Sequence, residues 1–356
     1  MSLPVLDTLL CDHTTGRNIF WATHDYEALG PEYGYHSEML PRLITGSHGM
    51  VVQPRVLKTK EQQTDRAKDM AEVFTPSWVC NAQNNLADET WFGRKDVFNK
   101  EDATSHTWKA NSDKIEFPDG KTWTDYVRDT RMEITCGEAP YLVSRYDATT
   151  GDTIPLRDRI GLLDRKLRVV TENACSKEDW LVWTRKAYQS IYGYEWQGDN
   201  LLLARKALLY TFIEYYQAAF VTAPPTDVLE EIANIISWNL WQMDGLKGVV
   251  PDSCHDMMSK HKPVQQLDFF AAEVPQESKP KVSPCPGCSE DNIYKHNGKY
   301  CKIRDWEANK TIRFIDLIKQ KAELPTAHLL VPAQRGSMQG DGKIAAETCQ
   351  PLLRRL

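Results

Sequence analysis

The chain has 356 residues, 41% apolar and 26% charged, which is the balance of a packed soluble protein with one large or two modest domains and excludes a disordered or fibrous class. A formal charge of -6 argues against a globally basic nucleic-acid binder, so any DNA contact is expected to be local or supplied by a partner. No apolar run approaches the roughly 20 residues of a membrane span and the opening residues lack a basic leader, so a cytoplasmic location is expected.

Residues 1–65 are rich in Gly, Pro, His and aromatics without a helical or alternating period, and read as an irregular N-terminal arm. From Thr75 the pattern predicts a helix: Thr75 caps it, Pro76 fills its first turn, and Trp78, Val79, Ala82 and Leu86 recur near helical spacing. The polar stretch 88–120 reads as loops and short strands. Between Val127 and Gly193 two short apolar strands flank a long insertion whose second half is predicted helical. The basic run 157–168 reads as a solvated helix face.

The second strand, 190–195, passes through Trp196 into a long helix carrying Leu201, Leu202, Leu208, Leu209 and Phe212, a strand-turn-helix unit of the doubly wound kind. A further helix over 228–236 leads to a strand and the turn Asp244-Gly245-Leu246. Past Lys262 the composition shifts to Pro, Lys, Ser and Cys, and after Lys321 it reads as a flexible tail. The chain therefore divides into an arm (1–65), a core domain (66–262), a Cys-rich segment (263–321) and a tail (322–356).

Four places carry chemistry along this order. Glu72-Val73-Phe74-Thr75-Pro76 opens a helix, where free backbone N–H groups and a hydroxyl favour a small anion, a plain capped helix being the alternative. Glu133-Ile134-Thr135-Cys136-Gly137-Glu138-Ala139-Pro140 ends a strand, and Gly137 lets the backbone approach a ligand while Glu133 accepts from an amino group. A bare strand-end turn is the competing account. Glu195, ending the next strand, is placed to accept both hydroxyls of a ribose with Trp196 against a ring; the alternative is an exposed glutamate beside a core tryptophan. Asp244-Gly245 alone is an ordinary turn.

In this order, Phe74, Thr75 and Pro76, then Glu133, Cys136 and Gly137, then Glu195 and Trp196, then Asp244 resemble the S-adenosylmethionine pocket of adenine-N6 DNA methyltransferases of restriction-modification type. The resemblance covers roughly residues 66–246. It implies an α/β fold, a doubly wound Rossmann-like methyltransferase sheet with the irregular arm before it and the small Cys-containing region after it. It also implies that Phe74 and its neighbours meet the methionine end of the cofactor and that Asp244 accepts from the adenine amino group.

The chain departs from that family in three ways. Ala139 stands where the second loop glycine belongs, Ile134-Thr135 displaces the proline after the acid, and no Asn/Asp-Pro-Pro-aromatic tetrapeptide, which holds a flipped adenine, is present. Nor is there room for a target-recognition domain. The resemblance thus implies a cofactor-binding subunit that meets DNA with a companion carrying those parts, with no catalytic residue assigned here. A catalytically silent regulatory protein is the alternative, and a zinc-bearing DNA-associated protein without cofactor is a third.

Nine cysteines, an odd number over a long chain, suggest reduced thiols with a metal cluster rather than a disulfide framework. Cys285-Pro286-Gly287-Cys288 is half a zinc knuckle, since two thiolates around a tight turn bite one tetrahedral ion. Cys301 and Cys254 are expected to complete the set, with His296 as the other candidate for the fourth position. A reduced cysteine pair in a loop is the bland alternative.

Overall fold

The computed structural model describes residues 1–69, 75–259 and 281–323. Helix α1 (Leu3–Leu10) buries Val5, Leu6, Leu9 and Leu10, and the β1 (Cys11–Asp12) and β2 (Arg17–Asn18) hairpin follows it. The rest of the arm is a succession of single 3-10 turns that sends Trp21, Tyr26, Tyr33 and Met39 into the main core. The polar helix α2 (Lys60–Asp69), helix α3 (Ser77–Phe92) and the antiparallel β3 (Asn99–Asp102) and β4 (Thr107–Ala110) come next. Helix α4 (Trp123–Arg128) starts on a capping box in which Thr122 and Asp125 each bond the other's backbone N–H.

Three strands then form one parallel sheet: β5 (Arg131–Glu133), β6 (Ile191–Glu195) and β7 (Leu240–Gln242), neighbours in chain order. Arg131 pairs with Ile191 and Glu133 with Gly193, while Gly193 pairs with Leu240 and Glu195 with Gln242. Parallel neighbours need long crossovers, because the chain must return to the starting end. Each crossover here carries two helices. These are α5 (Leu162–Asn173) and α6 (Lys177–Gln189), then α7 (Gly198–Phe220) and α8 (Thr226–Asn239).

Side chains alternate across the strands, so the sheet has two faces with different covers. Ile191 and Leu240 join the main core with α7 and α8. Tyr194 and Trp241 point the other way, into a small cluster with Met243, Val250, Cys301 and Ile303. A doubly wound sheet puts helices on both faces, but among the described residues the second face is covered by a β-hairpin. That hairpin is β10 (Lys302–Asp305) with β11 (Lys310–Arg313), followed by the start of α10 (Phe314–Glu323), and the intervening chain holds β8 (Met257–Ser259), β9 (Lys281–Ser283) and α9 (Pro286–Glu290). Residues 70–74, Phe74 among them, residues 260–280 and the tail beyond 323 lie outside the described residues. Among the described residues no helix is long and apolar enough to cross a membrane.

Two sequence expectations fail for one reason. Helix α3 exposes Trp78 and Leu86 and buries Asn81, Asn84 and Asp88; Pro76 is its N-cap, so Thr75 sits one residue too early to cap it. The basic run does not line a solvated face either, since Arg165 and Lys166 are fully buried. A buried guanidinium needs acceptors on every side. Arg165 finds Asp88 at 2.5 Å, Asn85 at 2.7 Å and Asn81 at 2.9 Å, and Tyr126 donates to Asp88 at 3.0 Å. Lys166 donates to the Val127 carbonyl at 3.0 Å, Ser190 Oγ at 2.6 Å and the Asp129 carbonyl, and burial pulls its ammonium down to about 7.

Arg205 of α7 closes the other side of the sheet. Its side chain is buried and donates to the carbonyls of Leu9 at 2.5 Å, Cys11 at 3.0 Å, Ser237 at 3.1 Å and Leu240 at 2.6 Å. These oxygens include orphan acceptors at the C-terminal ends of α1 and α8, where the helix dipole is negative. Arg205→Met should therefore cost about 3–5 kcal/mol by leaving buried carbonyls unpaired, which urea unfolding would register as a lowered midpoint; a variant as stable as the parent would refute this role.

Candidate functional site

The carboxyl ends of the three parallel strands collect the acids singled out in the sequence. Glu133 is buried at the end of β5 and accepts from the backbone N–H groups of Leu142 at 3.2 Å and Tyr141 at 3.4 Å. Burial raises its carboxyl well above the ordinary range against those donors, and Glu195 nearby raises it further. The connecting loop is a tight coil with Thr135, Gly137 and Ala139 all at positive φ. Ala139 thus takes the left-handed conformation that a glycine adopts without a Cβ penalty of about 1 kcal/mol or more.

Glu195 is clamped by two loops at once. Gly137 N–H donates to its Oε2 at 2.8 Å, and the N–H groups of Trp196 and Gln197 donate to Oε1 at 2.9 and 3.2 Å. Burial raises its carboxyl, and these three donors pull the other way. Cys136 is buried beneath the same turn and pairs its N–H with the Tyr194 carbonyl at 2.8 Å. Gly193 permits that approach, since a Cβ there would meet Cys136 Sγ at 3.3 Å. A glycine inside a strand was the readable signal for it.

Asp244 follows β7 and folds its carboxylate onto its own turn. It accepts from Leu246 N–H at 3.0 Å and Lys247 N–H at 3.2 Å, and the Lys247 ammonium lies 3.1 Å away. Gly245 packs against the Tyr194 ring, where a Cβ would come within 2.6 Å of Cε2. Trp196 is half-buried and donates its indole N–H at 3.0 Å to Tyr35, whose hydroxyl donates to Asp252 at 2.7 Å. Thr75, just ahead of α3, lies near Tyr141 of the loop that follows Glu133. The structure thus brings Thr75, Glu133, Cys136, Gly137, Glu195, Trp196 and Asp244 to one edge.

Sequence reasoning missed the arm's share of this edge. Asp199, the second residue of α7, is completely buried and holds Arg66 at 3.0 Å, Lys58 at 3.1 Å and the Tyr26 hydroxyl at 2.8 Å. Burial opposes its ionisation, but Arg66 and Lys58 outweigh it and hold the carboxyl well below its ordinary value. Tyr35, Tyr141 and Asp199 lie far from the strand ends in sequence, and nothing local marks them.

A second constellation lies beside the Asp244 turn. Cys254, Cys285, Cys288 and His296 bring their ligand atoms within 4.8 Å of one another, a set that can hold a metal ion such as zinc. The structure assigns both candidates for the fourth position and leaves Cys301 out. Cys301 is buried in the small second core with its thiol against the Gln242 carbonyl at 3.4 Å. Cys285 Sγ accepts from Asn297 N–H at 3.2 Å; burial works against its thiolate, while this donor, Cys288 N–H and His296 hold the thiol below its ordinary range.

No family model matches the chain, and no curated protein and no solved structure matches it.

The Asp199 network makes a pH-dependent prediction. Its folded carboxyl titrates below the ordinary 3.8, so its stabilising share is complete above that value and is lost as pH falls through the folded value. Asp199→Asn should cost about 3 kcal/mol at neutral pH, and the gap from the parent should narrow as unfolding is measured below about pH 4. A gap that widens on acidification would contradict the assignment.

Proposed function

We propose that the chain is the S-adenosylmethionine-binding part of an adenine-N6 DNA methyltransferase, working with a companion that supplies the catalytic segment and target recognition. The observation that carries this reading is the sheet: three parallel strands, adjacent in chain order, two of them ending in an acid, Glu133 and Glu195, and the third followed two residues on by Asp244. Ligands of open α/β sheets gather at the carboxyl ends of the strands, where loops converge and backbone N–H groups are free to be aimed. In this reading Glu195 accepts from the ribose hydroxyls, Trp196 flanks the base, Asp244 accepts from the adenine amino group, and Glu133 and the Gly137 loop face the methionine end. The sulfonium supplies the activated methyl group. The chain's own share is then orientation, which converts a bimolecular encounter into an aligned one.

A second reading, a catalytically silent scaffold, is favoured by the same carboxylates being already bonded to their own loops. Titration calorimetry separates the two. The purified chain is expected to bind S-adenosylmethionine competitively with S-adenosylhomocysteine, and Glu195→Ala to weaken binding by about 1.5–3 kcal/mol, the usual loss of hydrogen bonds to a charged group. Absence of heat from folded protein would end the cofactor reading.

Methyl transfer gives the second test. The sequence holds no Asn/Asp-Pro-Pro-aromatic segment to grip a flipped adenine, and its charge of -6 gives no excess of cations with which to neutralise phosphates. Labelled methyl transfer to adenine-containing duplex should be at background for the isolated chain and appear with a companion carrying that segment. Robust methylation by the chain alone would contradict the split.

A further inference from the structure

The four metal-ligand side chains come from three separate pieces of chain. Cys254 ends the loop that begins at Asp244, Cys285 and Cys288 flank the first turn of α9, and His296 lies in the turns before β10. His296 Nδ1 is 3.6 Å from Cys254 Sγ, 3.7 Å from Cys285 Sγ and 3.6 Å from Cys288 Sγ. A tetrahedral zinc ion with bonds of about 2.3 Å to sulfur and about 2.0–2.1 Å to nitrogen sets sulfur–nitrogen edges of about 3.6 Å. The three distances agree with those edges.

The surrounding backbone is shaped for this approach. A Cβ on Gly287 would stand 2.5 Å from both the backbone nitrogen and Nδ1 of His296, and one on Gly298 would stand 3.0 Å from Cys254 Sγ. His296 N–H donates to the Tyr300 hydroxyl at 3.0 Å, fixing the backbone that carries the ring. Such outer contacts orient ligands as much as the ligands hold the ion.

From the cluster the contacts run directly to Asp244. Asp244 N–H donates to the Val249 carbonyl at 2.8 Å, Val250 N–H to Lys299 at 2.8 Å, and Cys301 N–H to Gly248 at 3.0 Å, so the loop 244–254 is held between β7 and the segment bearing His296. Its own apolar support is small, the second cluster containing six buried residues. Small cores of this kind gain their stability from a metal, because binding free energy becomes folding free energy. Lys247, in the same loop, pairs its ammonium with Asp244 at 3.1 Å. Three thiolates, a neutral imidazole and a divalent ion leave a net charge of about -1 beside that lysine.

We propose that one zinc ion, bound by Cys254, Cys285, Cys288 and His296, is the clamp that fixes the Asp244 turn. The use of that turn for a cofactor rests on the proposed function, whereas metal binding and clamping do not. Elemental analysis of the full chain purified without chelator should find about one zinc per chain, and cobalt(II) exchanged into the site should show the visible bands of a tetrahedral thiolate centre. Gly287→Ala keeps all four ligands but obstructs His296, and is expected to lose metal; Cys301→Ser is expected to retain it. Amide hydrogen exchange of Asp244, Val250 and Cys301 should accelerate by about tenfold or more when the metal is stripped, with the amides of β5 and β6 little changed. Folded protein with less than about 0.2 zinc per chain would overturn the site. Metal retained in Gly287→Ala and lost in Cys301→Ser would overturn the ligand set, and equal exchange in loaded and stripped protein would overturn the clamp. No arm contains S-adenosylmethionine, so a failure of the cofactor reading and a failure of the clamp are seen separately.

Discussion

One buried guanidinium decides where the sheet's third strand begins. Arg205 reaches from α7 to the carbonyls of Ser237 and Leu240, where α8 ends and β7 starts, and in the same fan to Leu9 and Cys11 of the arm. Burial lowers it to about 10, so it remains a cation at neutral pH. A cation in a dry site must be surrounded by acceptors, and here they are backbone carbonyls, those of Leu9 and Ser237 being the unpaired acceptors of helix ends. Placing β7 in register beside β6 and seating α1 against α8 are therefore one event. The positions of Glu195 and Asp244, on β6 and just past β7, follow from it.

What the sequence reveals and conceals divides along this same line. β6, the long helix after it and the Asp244 turn are legible because their signals are local: an apolar strand, a glycine within it, a leucine stripe, an Asp-Gly pair. The direction of α3 is not, because Trp78 and Leu86 face water while Asn81, Asn85 and Asp88 serve Arg165, over 75 residues away, and Asn84 turns inward to the carbonyls of Tyr141 and Ile160. The fate of Arg165 and Lys166 is hidden for the same reason. A charge run reads as solvated unless the partners that neutralise it can be seen. Cys301 is equivalent to its neighbours in spacing, yet alternation along the chain turns it into the second core, while His296 packs closely on Gly287 and Gly298 on Cys254, contacts that no spacing rule encodes.

The edge also shows how a chain can hold several acids close together. Glu195 raises the Glu133 carboxyl, and each acid is kept in place by backbone N–H groups rather than by a basic side chain: Tyr141 and Leu142 of its own loop for Glu133, and Gly137 of the neighbouring loop with Trp196 and Gln197 for Glu195. The carboxylates fix the loops as much as the loops fix them. Rotamers of both are set before anything arrives, which lowers the ordering cost of any ligand that meets them.

The arm that lies across α7 carries a consequence for how the protein is made. Gly198 N–H donates to the Trp21 carbonyl, Gln242 exchanges two bonds with Phe20, and Lys302 N–H donates to Thr14 Oγ1. A ribosome delivers residues 14–21 first and their partners roughly 180–290 residues later, at about 5–20 residues per second. For that interval Trp21 can stack only on Tyr26 and Tyr33 of the arm, and the face of α1 that packs on α8 lacks its partner. Residues 14–21 are thus synthesised well before the partners that complete their burial, and the nascent chain has to carry their unmet contacts until α7, β7 and β10 emerge.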